Sequence, residues 1–336
     1  MREALSENPD DAGGVARDDV LSALLSTIRL SGSLQFCFMP TGDWQTDATP
    51  SLASLSPKTS GTMPFHIVAA GSCWLKTEGV ETDLEAGDVL VFPFGTGHQL
   101  GAGSDGMLVL PTRDLPRKPW REIPVLRYGD ETHGVRLLCG YLQWDGLSFA
   151  PLRQALPRLI HVRTRAANDG DWLRATIRQM VDEVDQPRAG GVSMLPRLTE
   201  IIFIEILRHQ IMMAEPRSVG WLAALADPAL SRCLSLIHDD PGREWSLEEL
   251  AAASGLSRSA LAERFQTMLS TSPIRYIRDW RLYLASVALV TSGQPIAAIA
   301  YDAGYATEAA FNRAFSRTFG TPPAAWRATA STRGSS

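Results

Sequence analysis

Two groups of side chains in this 336-residue chain carry usable chemistry. The first lies near the C-terminus: Arg258, Ser259, Ala262 and Glu263, then Glu308, Ala309, Asn312, Arg313 and Arg317. Arginine, asparagine, serine and glutamate are side chains that hydrogen-bond base edges in a major groove, and alanine offers only an apolar contact to a thymine methyl. Arg264, Arg278, Arg281 and Arg317 are candidates for phosphate contacts, which position a duplex without reading it. The second group is Cys37, His66, His98 and Cys139. Two thiolates and two imidazoles make a tetrahedral zinc set. The same two thiols form a disulfide under oxidation if neighbouring strands hold them together.

The elements that must position the first group are written twice, about 50 residues apart. Leu247 matches Ile296, Leu250 matches Ile299, Ala251 matches Ala300 and Gly255 matches Gly304. After a one-residue slip, Leu261 matches Phe311, Phe265 matches Phe315 and Pro273 matches Pro323. Each copy has helical apolar spacing, a small residue for a close crossing and a glycine for a positive-φ turn. Ser257 and Thr307 are placed to cap the second helix of each copy. With Leu261, Phe265 and Leu269 facing in, Arg258, Ser259, Ala262, Glu263 and Gln266 face out. With Phe311, Phe315 and Phe319 facing in, Glu308, Ala309, Asn312, Arg313 and Ser316 face out, and Arg317 sits near the edge. Between the copies, Ser272 and Pro273 start a helix that Gly293 stops. A helix over 273–292 is roughly 30 Å long. Successive major-groove faces lie about 34 Å apart, so one rod holds both reading helices on one side of a duplex.

Composition restricts the rest. The length suits two or three domains, and 45% hydrophobic content is ordinary for a globular protein. No apolar run approaches the ~20 residues that span a bilayer. Residues 1–18 are polar and acidic, which predicts a disordered tail rather than a signal peptide, and a cytoplasmic location. The net charge of −5 is unevenly spread: from residue 228 on there are 11 arginines against 9 acidic side chains, whereas the remainder has 21 basic against 28 acidic. Basic charge is therefore enriched where the repeat lies. The four cysteines form no CxxC pair and are expected to be reduced; Cys73 and Cys233 read as structural.

The texture over 19–155 is different. Short apolar runs alternate with Gly, Pro and Asp turns, which predicts a small antiparallel sandwich or barrel. Two helical stretches follow, at 171–185 and 195–213. The second is apolar on more than one face, which predicts burial or pairing with another chain.

Residues 229–327 resemble the DNA-binding domain of the AraC/XylS transcription regulators. The matching residues include Trp245, Ser257, Arg258, Pro273, Trp280, Arg281, Leu282, Ile299, Ala300, Gly304, Tyr305, Phe315, Gly320 and Trp326. The resemblance implies double-stranded DNA as ligand, RNA polymerase as partner, activation of a promoter and a homodimer. Gly87, Pro93, Gly95 and His98 resemble the second cupin motif, with Ala102 where an asparagine is usual. The first cupin motif is missing at 64–71, which speaks against three-histidine metal chemistry. That resemblance implies a cupin-type sensor, with His98 pointing into a barrel. Some relatives of this cupin subset respond to oxidants through cysteines, which here makes Cys37 and Cys139 the candidates. The expected fold class is α+β: a disordered tail (1–18), a cupin-like β-barrel (19–155), a helical linker or dimerisation segment (156–224), tandem helix-turn-helix units (225–330) and a short tail (331–336). The expected protein is a regulator rather than an enzyme, with zinc as the one candidate cofactor. The alternatives are a cupin metalloenzyme fused to a DNA anchor, or a constitutive DNA binder with an inert dimerising cupin.

Overall fold

The computed structural model describes residues 19–27, 30–48, 62–129, 134–144, 149–164, 170–213 and 219–331, so the two expected tails lie essentially outside it. The elements begin with α1 (Val20–Thr27), β1 (Leu30–Pro40), β2 (Trp44–Asp47), β3 (Thr62–Ala70), β4 (Ser72–Thr77), β5 (Val80–Glu85), β6 (Asp88–Val91), β7 (His98–Ala102), β8 (Met107–Leu108) and α2 (Pro111–Asp114). They continue with β9 (Val125–Tyr128), β10 (Arg136–Trp144), α3 (Ala150–Ala155), β11 (Ile160–Arg163), α4 (Gly170–Asp185) and α5 (Gly191–Met212). The last are α6 (Trp221–Ala226), α7 (Pro228–Asp239), α8 (Leu247–Ala253), α9 (Arg258–Leu269), α10 (Pro273–Thr291), α11 (Ile296–Asp302), α12 (Glu308–Phe319) and α13 (Pro323–Ser331).

One unit comprises Ile28–Ser148 and Leu152–Met213. Its strands form two sheets, in the orders β11-β6-β3-β10-β1-β9 and β5-β4-β7-β2-β8. Apolar residues from both sheets share one core, among them Phe36, Phe38, Trp44, Val68, Leu75, Leu84, Leu90, Leu100 and Leu137. β10 is central, paired antiparallel to β1 on one side and to β3 on the other. Strand β11 lies past the expected barrel limit at 155 and pairs with β6, so the sheet extends into the segment read as linker.

Helix α5 packs on β1. A Cβ on Gly32 would lie 2.6 Å from the Cβ of Thr199, so only glycine permits that approach. The helix buries Leu195, Thr199, Ile202, Phe203, Ile206 and Leu207. The opposite side leaves Ile201 and Met212 exposed, and Val192 is exposed in the first turn. The apolar residues of this helix are therefore divided between core and solvent. Trp172 of α4 is also exposed.

The other unit is assembled from three pieces of chain: Met1–Thr27, Phe149–Pro151 and Ala214–Ser336. From the first piece, α1 buries Val20, Leu21 and Leu24 and packs on α7. From the second, the Phe149 ring is 1% exposed and meets Tyr276, Trp280 and Tyr283 of α10 at centroid distances of 5.5, 5.1 and 5.7 Å. Nearby, Trp221 Nε1 donates to Tyr276 OH over 2.7 Å, and that hydroxyl lies 2.8 Å from His238 Nε2. The hydroxyl accepts from the indole and keeps its own proton to donate to the unprotonated Nε2 of a neutral His238. Burial lowers the His238 pKa to about 3, consistent with a neutral ring.

Candidate nucleic-acid interface and barrel cluster

Both copies of the repeat fold into the same helix–turn–helix, down to individual hydrogen bonds. Helix α8 ends at Gly255 (φ 68°) and α11 at Gly304 (φ 82°). Gly255 N donates to Ala252 O over 3.1 Å, and Gly304 N to Tyr301 O over 2.8 Å. Leu256 N then donates to Ala251 O over 2.9 Å, and Tyr305 N to Ala300 O over 3.0 Å. These are the paired bonds of a Schellman ending, which satisfy carbonyls that a helix end leaves open. Each following helix is capped as its sequence requires. Ser257 Oγ accepts from Ala260 N, and Thr307 Oγ1 accepts from Ala310 N. A capping box at Ser246 and Glu249, not singled out in the sequence, fixes the start of α8.

The second helix of each copy buries its apolar stripe. Leu261, Phe265 and Leu269 are buried on α9, as are Phe311, Ala314 and Phe315 on α12. Phe319 packs at the edge of the second core. Arg258, Ser259, Glu263 and Gln266 are exposed, and Ala262 is half-buried. On α12, Glu308, Ala309, Arg313 and Arg317 are exposed, and Asn312 and Ser316 are half-buried. The Oδ1 of Asn312 is enclosed and has no hydrogen-bond partner.

Two of the four expected phosphate contacts are instead occupied within the fold. Arg264 pairs with Asp227, the N-cap of α7, at 2.9 Å. Arg281 donates from Nε to Pro241 O over 2.6 Å, and from Nη2 to Gly242 O over 3.3 Å and Arg243 O over 2.8 Å. It ties α10 to the loop that precedes α8. Arg258 is in an exposed ion pair with Glu248. Arg317 has no carboxylate partner among the described residues.

The second group of candidates separates. On the shared sheet, Cys139 stands opposite His66 of β3 and opposite Phe36 of β1, whereas Cys37 stands opposite Leu138. Adjacent strand positions face opposite ways. Cys139 and His66 therefore point into the core between the sheets, and Cys37 points to the other face. There Cys37 Sγ accepts from Arg136 Nε over 3.3 Å, and Arg136 forms a bidentate pair with Asp185 at 2.8 and 2.6 Å. The four residues expected to converge on zinc do not, and two thiols on opposite faces cannot be bridged in this register. Among the described residues, no group of three or more His, Cys, Asp and Glu side chains is arranged to hold a metal ion.

What remains together is a buried chain of three. His66 Nδ1 lies 3.2 Å from Cys139 Sγ, His66 Nε2 lies 2.8 Å from His98 Nε2, and His98 Nδ1 lies 2.8 Å from Thr96 O. The carbonyl at one end orients every proton, because it can only accept. His98 Nδ1–H donates to Thr96 O, so His98 Nε2 accepts from His66 Nε2–H. His66 Nδ1 is then an acceptor, and the Cys139 thiol donates to it. This assignment follows from hydrogen-bond logic. It requires both rings to be neutral. Burial, with His98 adding to it, holds the His66 pKa well below its ordinary range, and burial lowers that of His98 to about 4. Burial also raises the Cys139 thiol well above its ordinary value. The Phe92 ring stacks on His98 at 3.7 Å. Beside this chain lies a cavity of only about 10 Å³, lined by Phe36, Phe38, Thr46, Ala48, His66, Leu100, Pro111 and Cys139. Thr46 Oγ1 is buried there without a hydrogen-bond partner.

Known proteins match both halves. A cupin family model matches residues 19–212, and a helix-turn-helix domain model matches residues 250–329. A putative AraC-like transcription regulator of Streptomyces antibioticus is 31% identical over 324 residues, covering 92% of this chain and 97% of the relative. The HTH-type transcriptional regulator AlkR of Acinetobacter baylyi is 29% identical over 314 residues, covering 92% and 99%. The HTH-type transcriptional regulator MtrA of Neisseria gonorrhoeae is 25% identical over 313 residues, covering 92% and 98%. With both halves matched and one relative above 30% identity along nearly its whole length, the chain belongs to the AraC-like transcription regulators, as a DNA-binding regulator with an N-terminal cupin region.

Proposed function

We propose that this regulator receives its signal as a covalent change at Cys139 Sγ inside the barrel, and answers by altering how α9 and α12 meet adjacent major grooves. The cavity beside Cys139 and His66 carries this reading. A void of about 10 Å³ holds roughly one water-sized group. It suits the addition of one oxygen atom and excludes an organic effector unless the core is rebuilt. A two-electron oxidant of the peroxide class supplies that atom. As the sulfur attacks one peroxide oxygen, the O–O bond breaks and the thiol proton passes to His66 Nδ1. The departing hydroxide takes that proton from His66 and leaves as water, so the thiol becomes a sulfenic acid and the ring returns to its neutral form. The unpaired Thr46 hydroxyl lines the same cavity and is available to the new oxygen. Zinc is the competing reading, with two donors, Cys139 and His66, in place of the four expected.

The test uses the full chain. Peroxide treatment followed by thiol alkylation and mass spectrometry locates the oxidised cysteine, and zinc content is measured in parallel. Oxidation at Cys139, with DNA binding altered in the wild type and unaltered in Cys139→Ser, is the expected result. Stoichiometric zinc lost in Cys139→Ser would replace the oxidant reading. An unmodified Cys139 with unchanged DNA binding would end both.

On the DNA side, Glu308, Ala309, Asn312 and Arg313 are assigned to one major groove, and Ser259, Ala262 and Glu263 to the next. The exposure of Ser259, Glu263, Glu308, Ala309 and Arg313 on matched helices, with Ala262 and Asn312 half-buried beside them, and the 19-residue α10 between the copies support this. The proposed assembly is a homodimer, seated on the side of α5 that exposes Ile201 and Met212. A two-fold axis at Ile201 sets Arg197 of one copy opposite Glu205 of the other. Promoter activation through RNA polymerase, a cytoplasmic location and the absence of catalysis complete the reading. No helix among the described residues is long and apolar enough to cross a membrane.

A further inference from the structure

The first turns of α10 and the last turn of α12 enclose a cleft of about 480 Å³, lined by Ser272, Ile274, Arg275, Arg278 and Arg317. Three guanidinium groups share this space with one nearby carboxylate. Arg278 Nη2 lies 3.0 Å from Asp279 Oδ1, and Arg275 Nε lies 3.8 Å from Asp279 Oδ2. Arg317 meets no carboxylate among the described residues, so the cleft carries surplus positive charge. Ile274 is exposed on the same wall and offers an apolar contact of the kind a deoxyribose can accept.

The position of the cleft indicates its ligand. Helix α10 begins four residues after α9 ends, and Arg317 lies one turn beyond Arg313 on the same face of α12. The cleft thus lies between the C-terminal ends of the two helices assigned to adjacent major grooves. Two major-groove contacts on one side of a duplex are separated by a minor groove and its flanking phosphates. We propose that Arg275, Arg278 and Arg317 form a phosphate seat for the DNA backbone that crosses between the two major-groove contacts. The inference rests on the groove assignment above and extends it to a strand that carries no base information. Phosphate contacts of this kind set register and orientation, and they make affinity fall with salt. The seat also accounts for two arginines gathered around a single aspartate at an exposed helix start.

The experiment uses the full chain and two duplexes: one selected by the wild type from a randomised pool, the other a scrambled version of it. Affinity is measured by fluorescence anisotropy between 50 and 200 mM KCl. Each lost phosphate contact should reduce the slope of log affinity against log salt by about 0.9. Arg317→Ala should therefore shrink the affinity loss across that range by about 3-fold. The triple change Arg275→Ala, Arg278→Ala, Arg317→Ala should reduce the slope by about 2 to 3. Both duplexes should weaken by the same factor, and Arg317→Lys should keep the wild-type slope. Unchanged melting temperatures exclude misfolding as the cause. A wild-type slope in the triple variant would overturn the seat. A changed ratio between selected and scrambled duplexes would overturn it too, by making these arginines base readers. So would intact DNA binding with lost transcription, which would assign the cleft to an acidic protein surface. Failure of the wild type to select any duplex would instead remove the groove assignment itself.

Discussion

The twin glycines of the repeat are alike in sequence and in backbone, but they should respond differently to the same substitution. A Cβ in the left-handed region costs about 1–2 kcal/mol, and both Gly255 and Gly304 carry that cost. At Gly255 an added Cβ meets nothing within 4 Å. Gly255→Ala should therefore cost only the backbone amount. At Gly304 the Cβ would lie 2.6 Å from Arg281 Nη1. A guanidinium end is normally free to swing away, but this one is held by three carbonyl oxygens of residues 241–243. Hydrogen bonds from a charged donor are worth about 1.5–3 kcal/mol each, so giving up one raises the cost of Gly304→Ala to about 2.5–5 kcal/mol. Hydrogen exchange of peptides from 247–331 in the full chain reads the local stability of both copies. In an Arg281→Ala background the excess at Gly304 should vanish, because the obstructing group is gone. Equal losses at the two glycines, or an excess that survives without Arg281, would refute the reasoning.

Arg313→Ala should cost about 1–3 kcal/mol in binding to a selected duplex and lower its discrimination from a scrambled one; unchanged discrimination would remove Arg313 from base reading. Phe149→Ala should destabilise the helical unit by about 3–5 kcal/mol, seen as faster exchange in α10 peptides, although Phe149 lies far away in sequence. Burial lowers the His238 pKa to about 3, so the unfolded chain binds a proton that the folded one excludes. Stability is then full above about 6.5 and is lost as pH falls toward 3, by up to about 1.4 kcal/mol per pH unit. In an acid titration His238→Gln, which keeps an acceptor for Tyr276, should flatten this limb. Arg197→Glu should weaken self-association in sedimentation, and adding Glu205→Arg should restore it if the two meet across a two-fold axis.

The helical unit was largely legible in the sequence because its signals are local. Ser257, Thr307, Pro273 and the two glycines act through neighbours within six residues, and each does what its chemistry predicts. Arg264 and Arg281 read as free cations in the sequence because the partners that hold them lie 37 and 40 residues away, and an arginine alone does not reveal whether a fold has already used it. In the barrel, the strand texture showed that Cys37 and Cys139 sit on strands. It did not show their register, and one residue of register decides which face a side chain takes. Placing Cys37 required knowing that Phe36, rather than Cys37, stands opposite Cys139. Asp185, which completes the Cys37–Arg136 network, comes from a helix with no sequence cue linking it to β1. The capping box at Ser246 and Glu249 was readable from its spacing.

The helical unit's three-piece make-up bears on severability. A fragment beginning near residue 225 contains both helix-turn-helix copies and the rod between them. It lacks the cover that Val20, Leu21 and Leu24 provide for α7, and the ring that Phe149 sets against Tyr276, Trp280 and Tyr283. It also loses Trp221, whose indole is hydrogen-bonded to Tyr276. Such a fragment exposes a trench of aromatic and aliphatic surface along α7 and α10, and it should aggregate or bind nonspecifically where the full chain does not. The DNA-reading half is a module in its sequence pattern only; in three dimensions it is completed by α1 and Phe149, which stand well before it in the chain.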